Sequence, residues 1–321
     1  MNGLERNRIW AKWPLWCASL FCMLLYGCFT GVENTPKIGT SEVKHQHAAA
    51  VTAEQKYLAD IAPEPFVNWQ NGKEFLVSDP KIGMIFTSGS PIVTFETGDI
   101  IRFQNAVEVN SPVGKATDLY FISEYASQPM IYRLNASIKD LQERTEVEIP
   151  FTVEMDLPNQ VNRRLLGNTY YVVTPRWFDL NGNMITRIKY IPVKIIEVEP
   201  GTHDFPVKVV FTPLFDGFGA DEKFAMFMSV GNMPRSSRNF DTLFALNNPR
   251  GKYGNITDET WNLIIKGRLK PGMTREEARL AIGAPIDVDR VHDYSSVYER
   301  WEYDGGVYLI FRDDILERFR L

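Results

Sequence analysis

Between residues 66 and 213 the chain is a succession of short β-branched and aromatic runs, and this stretch dictates most of what it can fold into. Runs at 75–77, 82–87, 92–95 and 100–103, and again at 170–173, 185–190, 193–198 and 207–211, are separated by Gly, Pro, Ser and Asp at hairpin spacing. Such side chains suit a pleated, half-buried surface and the punctuating residues favour turns, so the reading is antiparallel β. Ser137 opens one short helical turn. Residues 224–230 add a strand, and 240–244 a short helix with Phe240, Leu243 and Phe244 on one face. An echo runs through the region. Gly72, Phe75, Leu76, Val77 and Pro80 recur 95 residues later as Gly167, Tyr170, Tyr171, Val172 and Pro175. Gly turns the chain into a strand, and Pro ends the ladder because it lacks an N–H. That period is too long for a solenoid and suits two related β-modules, each a small barrel or a sandwich.

After residue 256 the pattern changes. Thr257, Asp258 and Glu259 open a helix, with acids at its positive end and Trp261, Ile264 and Ile265 on one stripe. Gly272, Met273 and Thr274 lead into a second helix, where Thr274 and Glu277 form a capping box and Ala278, Ala281 and Ile282 face inward. Gly283 caps it in a left-handed conformation and Pro285 prevents its continuation. Strands at 286–291, 297–303, 307–311 and 315–321 follow, with turns at Asp304 and at Asp313 and Asp314.

The N-terminus reads as an export signal. Arg6, Arg8 and Lys12 precede an apolar run over 15–27, which is shorter than the roughly 20 residues a bilayer span needs. All three cysteines lie at or before position 28, so a chain cleaved there has no disulfide to form. Such a chain would hold 32 basic and 39 acidic residues, so attachment to anionic lipid would come from acyl chains rather than charge. Residues 29–51 are small, polar and aperiodic, and read as a tether. His45 and His47 within it have no further ligand nearby and read as solvated. Thr52 and Gln55 form a capping box for a helix over 53–61.

Two resemblances add to this reading. Leu25, Tyr26, Gly27 and Cys28 resemble the bacterial lipobox, which implies signal-peptidase recognition of Leu25, Tyr26 and Gly27 and lipidation of Cys28. Gly272, Met273, Thr274, Glu277, Gly283, Pro285, Trp301, Tyr303 and Phe311 resemble the signature of the SmpA/OmlA (BamE-like) family of small lipoproteins. This resemblance covers about a fifth of the chain. It implies two helices on an antiparallel sheet, a place on the inner face of the outer membrane, and partners in the barrel-assembly machinery.

The expected fold class is therefore α+β. A signal peptide spans 1–27, a tether 28–51 and β-rich modules 52–150 and 151–235. A C-terminal domain of two helices and three to four strands spans 236–321, with its core signature at 257–321. A net charge of −5 argues against nucleic acid. The chain has no Gly-x-Ser-x-Gly, no phosphate-cradling loop and no His-Glu-x-x-His, so no catalytic residue, metal ligand or cofactor is assigned. The expected function is a non-catalytic scaffold in envelope assembly, lipid-anchored and facing the periplasm. The alternatives are an envelope glycan- or small-ligand-binding module in residues 66–213, or an inhibitor of a secreted hydrolase.

Overall fold

Antiparallel pairing organises the protein into three sheets. The computed structural model describes residues 51–231, 238–293 and 296–321, with backbone alone at 292 and 293. The fold is α+β, as expected, with short helices joining the sheets. Helix α1 (Ala53–Tyr57) begins at the Thr52–Gln55 capping box and ends four residues before the expected boundary. The first sheet contains β1 (Glu74–Val77), β2 (Ile100–Ser111), β3 (Gly114–Ser123), β4 (Met130–Leu134) and β5 (Thr152–Glu154). Its order is β4-β3-β2-β1-β5, and helix α2 (Ile138–Gln142) precedes the closing strand β5. Helix α3 (Asp156–Leu165) leads into the second sheet. That sheet contains β6 (Thr169–Val172), β7 (Arg176–Phe178), β8 (Met184–Thr186), β9 (Ile191–Pro200), β10 (Val207–Pro213) and β11 (Phe224–Met228). Helix α4 (Phe240–Leu243) and closing strand β12 (Phe244–Ala245) complete it, in the order β12-β6-β9-β10-β11-β7-β8.

The two sheets are copies of one plan. From the closing strand, β5-β1-β2-β3-β4 matches β12-β6-β9-β10-β11. Register agrees as well as order. Val77 faces Thr152 where Val172 faces Phe244, and Phe75 faces Ile101 where Tyr170 faces Val193. Each second strand carries a bulge at the same place. Phe103 faces Phe121 and the ladder resumes at Asn105 and Tyr120; Ile195 faces Phe211 and it resumes at Glu197 and Val210. The segment between first and second strands crosses in both copies to the outer side of the fourth, through a Phe86–Tyr132 bridge in one and Phe178 opposite Ala225 in the other. The echo at Gly72 and Gly167 marks these copies. Both glycines have positive φ, +95° and +77°, and launch the first strand of each repeat.

Two expected strands are not formed. Residues 82–84 lie within a 3₁₀ turn, Pro80–Met84, because the Asp79 side chain accepts from Lys81 N–H at 2.8 Å and Pro80 pre-sets the turn, and of 85–87 only Phe86 makes a single bridge. Residues 92–95 form no strand, since they belong to the crossing segment, which buries Phe95 but exposes Ile92 completely. Phe244 leaves the expected helix and starts β12.

The third sheet is the meander β13 (Asp287–Asp293), β14 (Ser296–Glu302), β15 (Tyr308–Arg312) and β16 (Ile315–Arg320). Asp313 and Asp314, with φ of +47° and +72°, make its last tight turn. Helices α5 (Asp258–Ile265) and α6 (Arg275–Ile282) precede it. Ala278 of α6 sits over Trp301, Leu309 and Phe311, with Leu263 of α5 packed beside them, while Trp261, Ile264 and Ile265 of α5 and Ala281 of α6 join the core of the second repeat.

Candidate functional site

The signature residues near the C-terminus are structural in their contacts. Thr274 accepts from Glu277 N–H at 3.2 Å, and the Glu277 carboxylate accepts from Thr274 N–H at 2.7 Å, closing the expected capping box. Gly272 (φ +95°) donates its N–H to Leu316 O at 2.8 Å, and Met273 is buried beside Trp301. Gly283 differs from the left-handed cap expected: φ of +95° with ψ of −175° is an extended conformation essentially reserved for glycine. Its carbonyl accepts from Tyr303 Oη at 3.0 Å, and burial pushes the Tyr303 phenol up to about 12. Pro285 follows just beyond the helix, half-buried. Trp301 is core, with its ring 4.6 Å from that of Phe311 and its Nε1 donating to Glu299 at 3.0 Å. Glu299 also binds Arg275 and Arg290. Burial would raise its carboxyl, but the hydrogen bonds from Trp301 and Arg290 and the Arg275 charge hold it below the ordinary value.

Leu25, Tyr26, Gly27 and Cys28, with His45 and His47, lie outside the described residues.

What the sequence did not single out is a cleft of about 530 Å³ between the repeats. The first repeat contributes Glu146, Glu148 and the closing strand β5; the second contributes its β9–β10 hairpin through His203, Asp204 and Phe205. Gly201 shapes that hairpin, since a Cβ there would collide with the Phe205 carbonyl oxygen. Phe75, Val147, Val153 and Leu157 give the cleft apolar walls. His203 Nε2 lies 2.8 Å from Glu148 Oε1, and its Nδ1 is 3.4 Å from Thr152 O. Four carboxylate residues line the cleft, Glu146, Glu148, Glu154 and Asp204, against the single histidine.

Behind the cleft a buried ammonium organises three acids. Lys73 Nζ donates to Glu154 at 2.7 Å and to Glu64 and Asp156 at 2.8 Å each, 5.6 Å from the centre of the Trp69 ring. Burial alone would lower this ammonium, but bonds to Asp156, Glu154 and Glu64 outweigh it and raise its pKa. Burial pushes the Glu154 carboxyl up, against the pull of Lys73. The carboxylates of Glu64, Glu154 and Asp156 lie close enough together to ligate a cation, yet Lys73 already occupies that role.

A second buried lysine is handled differently. Lys189 is 6% exposed, and among the described residues no acid is ion-paired with it. Burial depresses its pKa to about 8. The neighbouring Tyr190 stacks on Trp261 at 5.5 Å, and Tyr253 flanks the same indole at 5.9 Å. Lys189 N–H donates to Ile265 O at 3.1 Å, so residues 189 and 190 clamp helix α5 to the second repeat. The only trace of this in the sequence is a lysine inside an apolar run, between Ile188 and Ile191. No family model, curated protein or solved structure matches the chain.

Proposed function

We propose that the chain is a lipid-anchored protein of the outer membrane that faces the periplasm and works without catalysis. It holds a partner protein of the envelope-assembly machinery, barrel assembly included. Support for the anchor comes from Cys28 and the residues before it, and for the envelope role from the C-terminal signature.

One observation carries the partner-binding reading. Strand β13 pairs with β14 on one side, and among the described residues nothing pairs with its other side. Three apolar side chains stand exposed at this edge: Ile286 at 67%, Val288 at 41% and Val291 at 63%. A free edge offers a row of backbone donors and acceptors to an extended segment of another chain, with pockets for alternate side chains setting preference. Among the described residues no helix is long and apolar enough to cross a membrane, so in this reading attachment falls to the N-terminal lipid. Replacing Cys28 by Ala is expected to move the protein from the membrane to the soluble fraction. Unchanged fractionation would contradict the anchor. Ile286→Lys, which places a charge at the edge without touching the core, is expected to abolish partner recovery while leaving fractionation unchanged.

A further inference from the structure

The cleft between the repeats is explained by comparing them position by position. In the second repeat the corresponding space is filled. Tyr170 on the first strand packs against Phe240 at 5.3 Å and Phe244 at 6.3 Å, and Tyr57 closes over Phe240 at 4.8 Å. These rings form an aromatic plug between the first strand and the start of the closing strand. The shared register identifies their counterparts. Tyr170 corresponds to Phe75 and Phe244 to Thr152; Phe240 stands on helix α4 just before its closing strand, where the first repeat has non-helical chain carrying Glu148. The first repeat thus keeps one ring, Phe75, has a hydroxyl in place of Phe244, and lacks the helix that supplies Phe240. Phe75, Thr152 and Glu148 all line the cleft.

The cleft opens to solvent, with the His203 and Glu148 side chains 35% and 43% exposed, and the first repeat does not fill it with side chains of its own. The first repeat also holds a strained residue beside the space, Phe151 at φ +63°, directly before Thr152. Its counterpart Leu243 ends a helix, and each carbonyl accepts from the residue just after the first strand, Ser78 or Val173, at 2.9 Å. Strain in a bulky residue beside a cavity is retained where the surrounding arrangement serves a purpose.

From this geometry we propose that the cleft binds a small molecule with a ring-sized apolar body and a protonated amine. Phe75, Val147 and Phe205 would pack on the body, taking the part that the plug plays in the second repeat. Glu148 and Asp204, opening onto the same space, would receive the ammonium. His203, 2.8 Å from Glu148, would orient that carboxylate. The volume, about 530 Å³, lies within the range of small-ligand sites. This site is independent of the β13 edge and of the lipid anchor.

The test uses the full chain and three probes of one size and different charge: phenethylammonium, phenylacetate and phenethyl alcohol. Calorimetry is expected to show saturable binding of phenethylammonium, with phenylacetate weaker by at least about tenfold. Thr152→Phe, which rebuilds the plug, is expected to abolish binding. The double variant Glu148→Gln with Asp204→Asn is expected to erase the preference for the cation, so that phenethylammonium binds no tighter than the alcohol. That variant keeps the side-chain volumes and serves even if Thr152→Phe does not fold. Absence of saturable binding, equal binding of phenylacetate, or a preference for the cation that survives the double variant would each overturn the proposal.

Discussion

At Tyr190 the second repeat accepts a backbone conformation that the first repeat gives to a glycine. Gly98 (φ +105°) and Tyr190 (φ +61°) occupy the same place, each donating its N–H to the last residue of the first strand, Val77 or Val172. A bulky residue there costs of order 1–3 kcal/mol, and the ring earns its position by reaching Trp261. Lys189 beside it sits in a desolvated place whose cost depends on protonation. Its folded pKa, about 8, lies below the ordinary 10.5, so between those values the unfolded chain binds more protons and stability rises with pH. Below pH 8 the full penalty of roughly 3 kcal/mol applies, offset in part by attraction to the Tyr190 ring. Lys189→Met, which keeps the buried stem, is expected to be about 2 kcal/mol more stable than wild type at pH 7 by denaturant unfolding. The gap should close as pH approaches 10.5. A gap independent of pH, or a less stable variant, would contradict this account. Neither role was legible in the sequence, because positive φ and the absence of an ion-paired acid among the described residues are properties of the fold. The capping pair Thr274 and Glu277 was legible, because its partners lie within one helical turn.

At the scale of elements, local signals served where they were not opposed by pairing. The Thr52 and Ser137 helix starts formed as expected, since a cap needs only its own first turn. Helix α3 was missed for the converse reason. Pro158 reads as a breaker, yet it stands in the first turn, where its absent N–H has no intrahelical partner to lose, and Leu157, Val161 and Leu165 carry the stripe. The stripe on α5 was legible, but its destination was not. Periodicity says that one face is buried and is silent about which core receives it. Trp261→Ala is therefore expected to cost about 3–5 kcal/mol, and to speed amide exchange in β6 and β9 more than in β14 and β15. Loosening confined to the third sheet would contradict the assignment of α5 to the second repeat.

Across the whole molecule, a five-residue echo stood for a repeat of five strands, two closing arrangements and a shared bulge. So little survives in sequence because burial and pairing constrain residue class, not identity: Phe75 and Tyr170, Ile101 and Val193, or Phe103 and Ile195 serve equally at matched positions. The cleft could not be read from the sequence at all, since it lies between segments some 50 residues apart, around 148–154 and 203–206. β13 was legible as a strand at the start of a meander, but its lack of a second neighbour among the described residues is a fact of topology. Because α5 belongs to the second repeat, removing everything after residue 256 would strip Trp261, Ile264 and Ile265 from that core, and a point probe is the sounder test. The most direct measurement is site-specific photo-crosslinking in native membranes, with the probe at Val291 on β13 or at Ile315 on the opposite edge, β16. The account expects a discrete adduct to an envelope protein from position 291, absent from 315 and lost when Ile286→Lys is added. No adduct at 291, equal adducts from both edges, or an adduct that survives Ile286→Lys would contradict partner binding through β13.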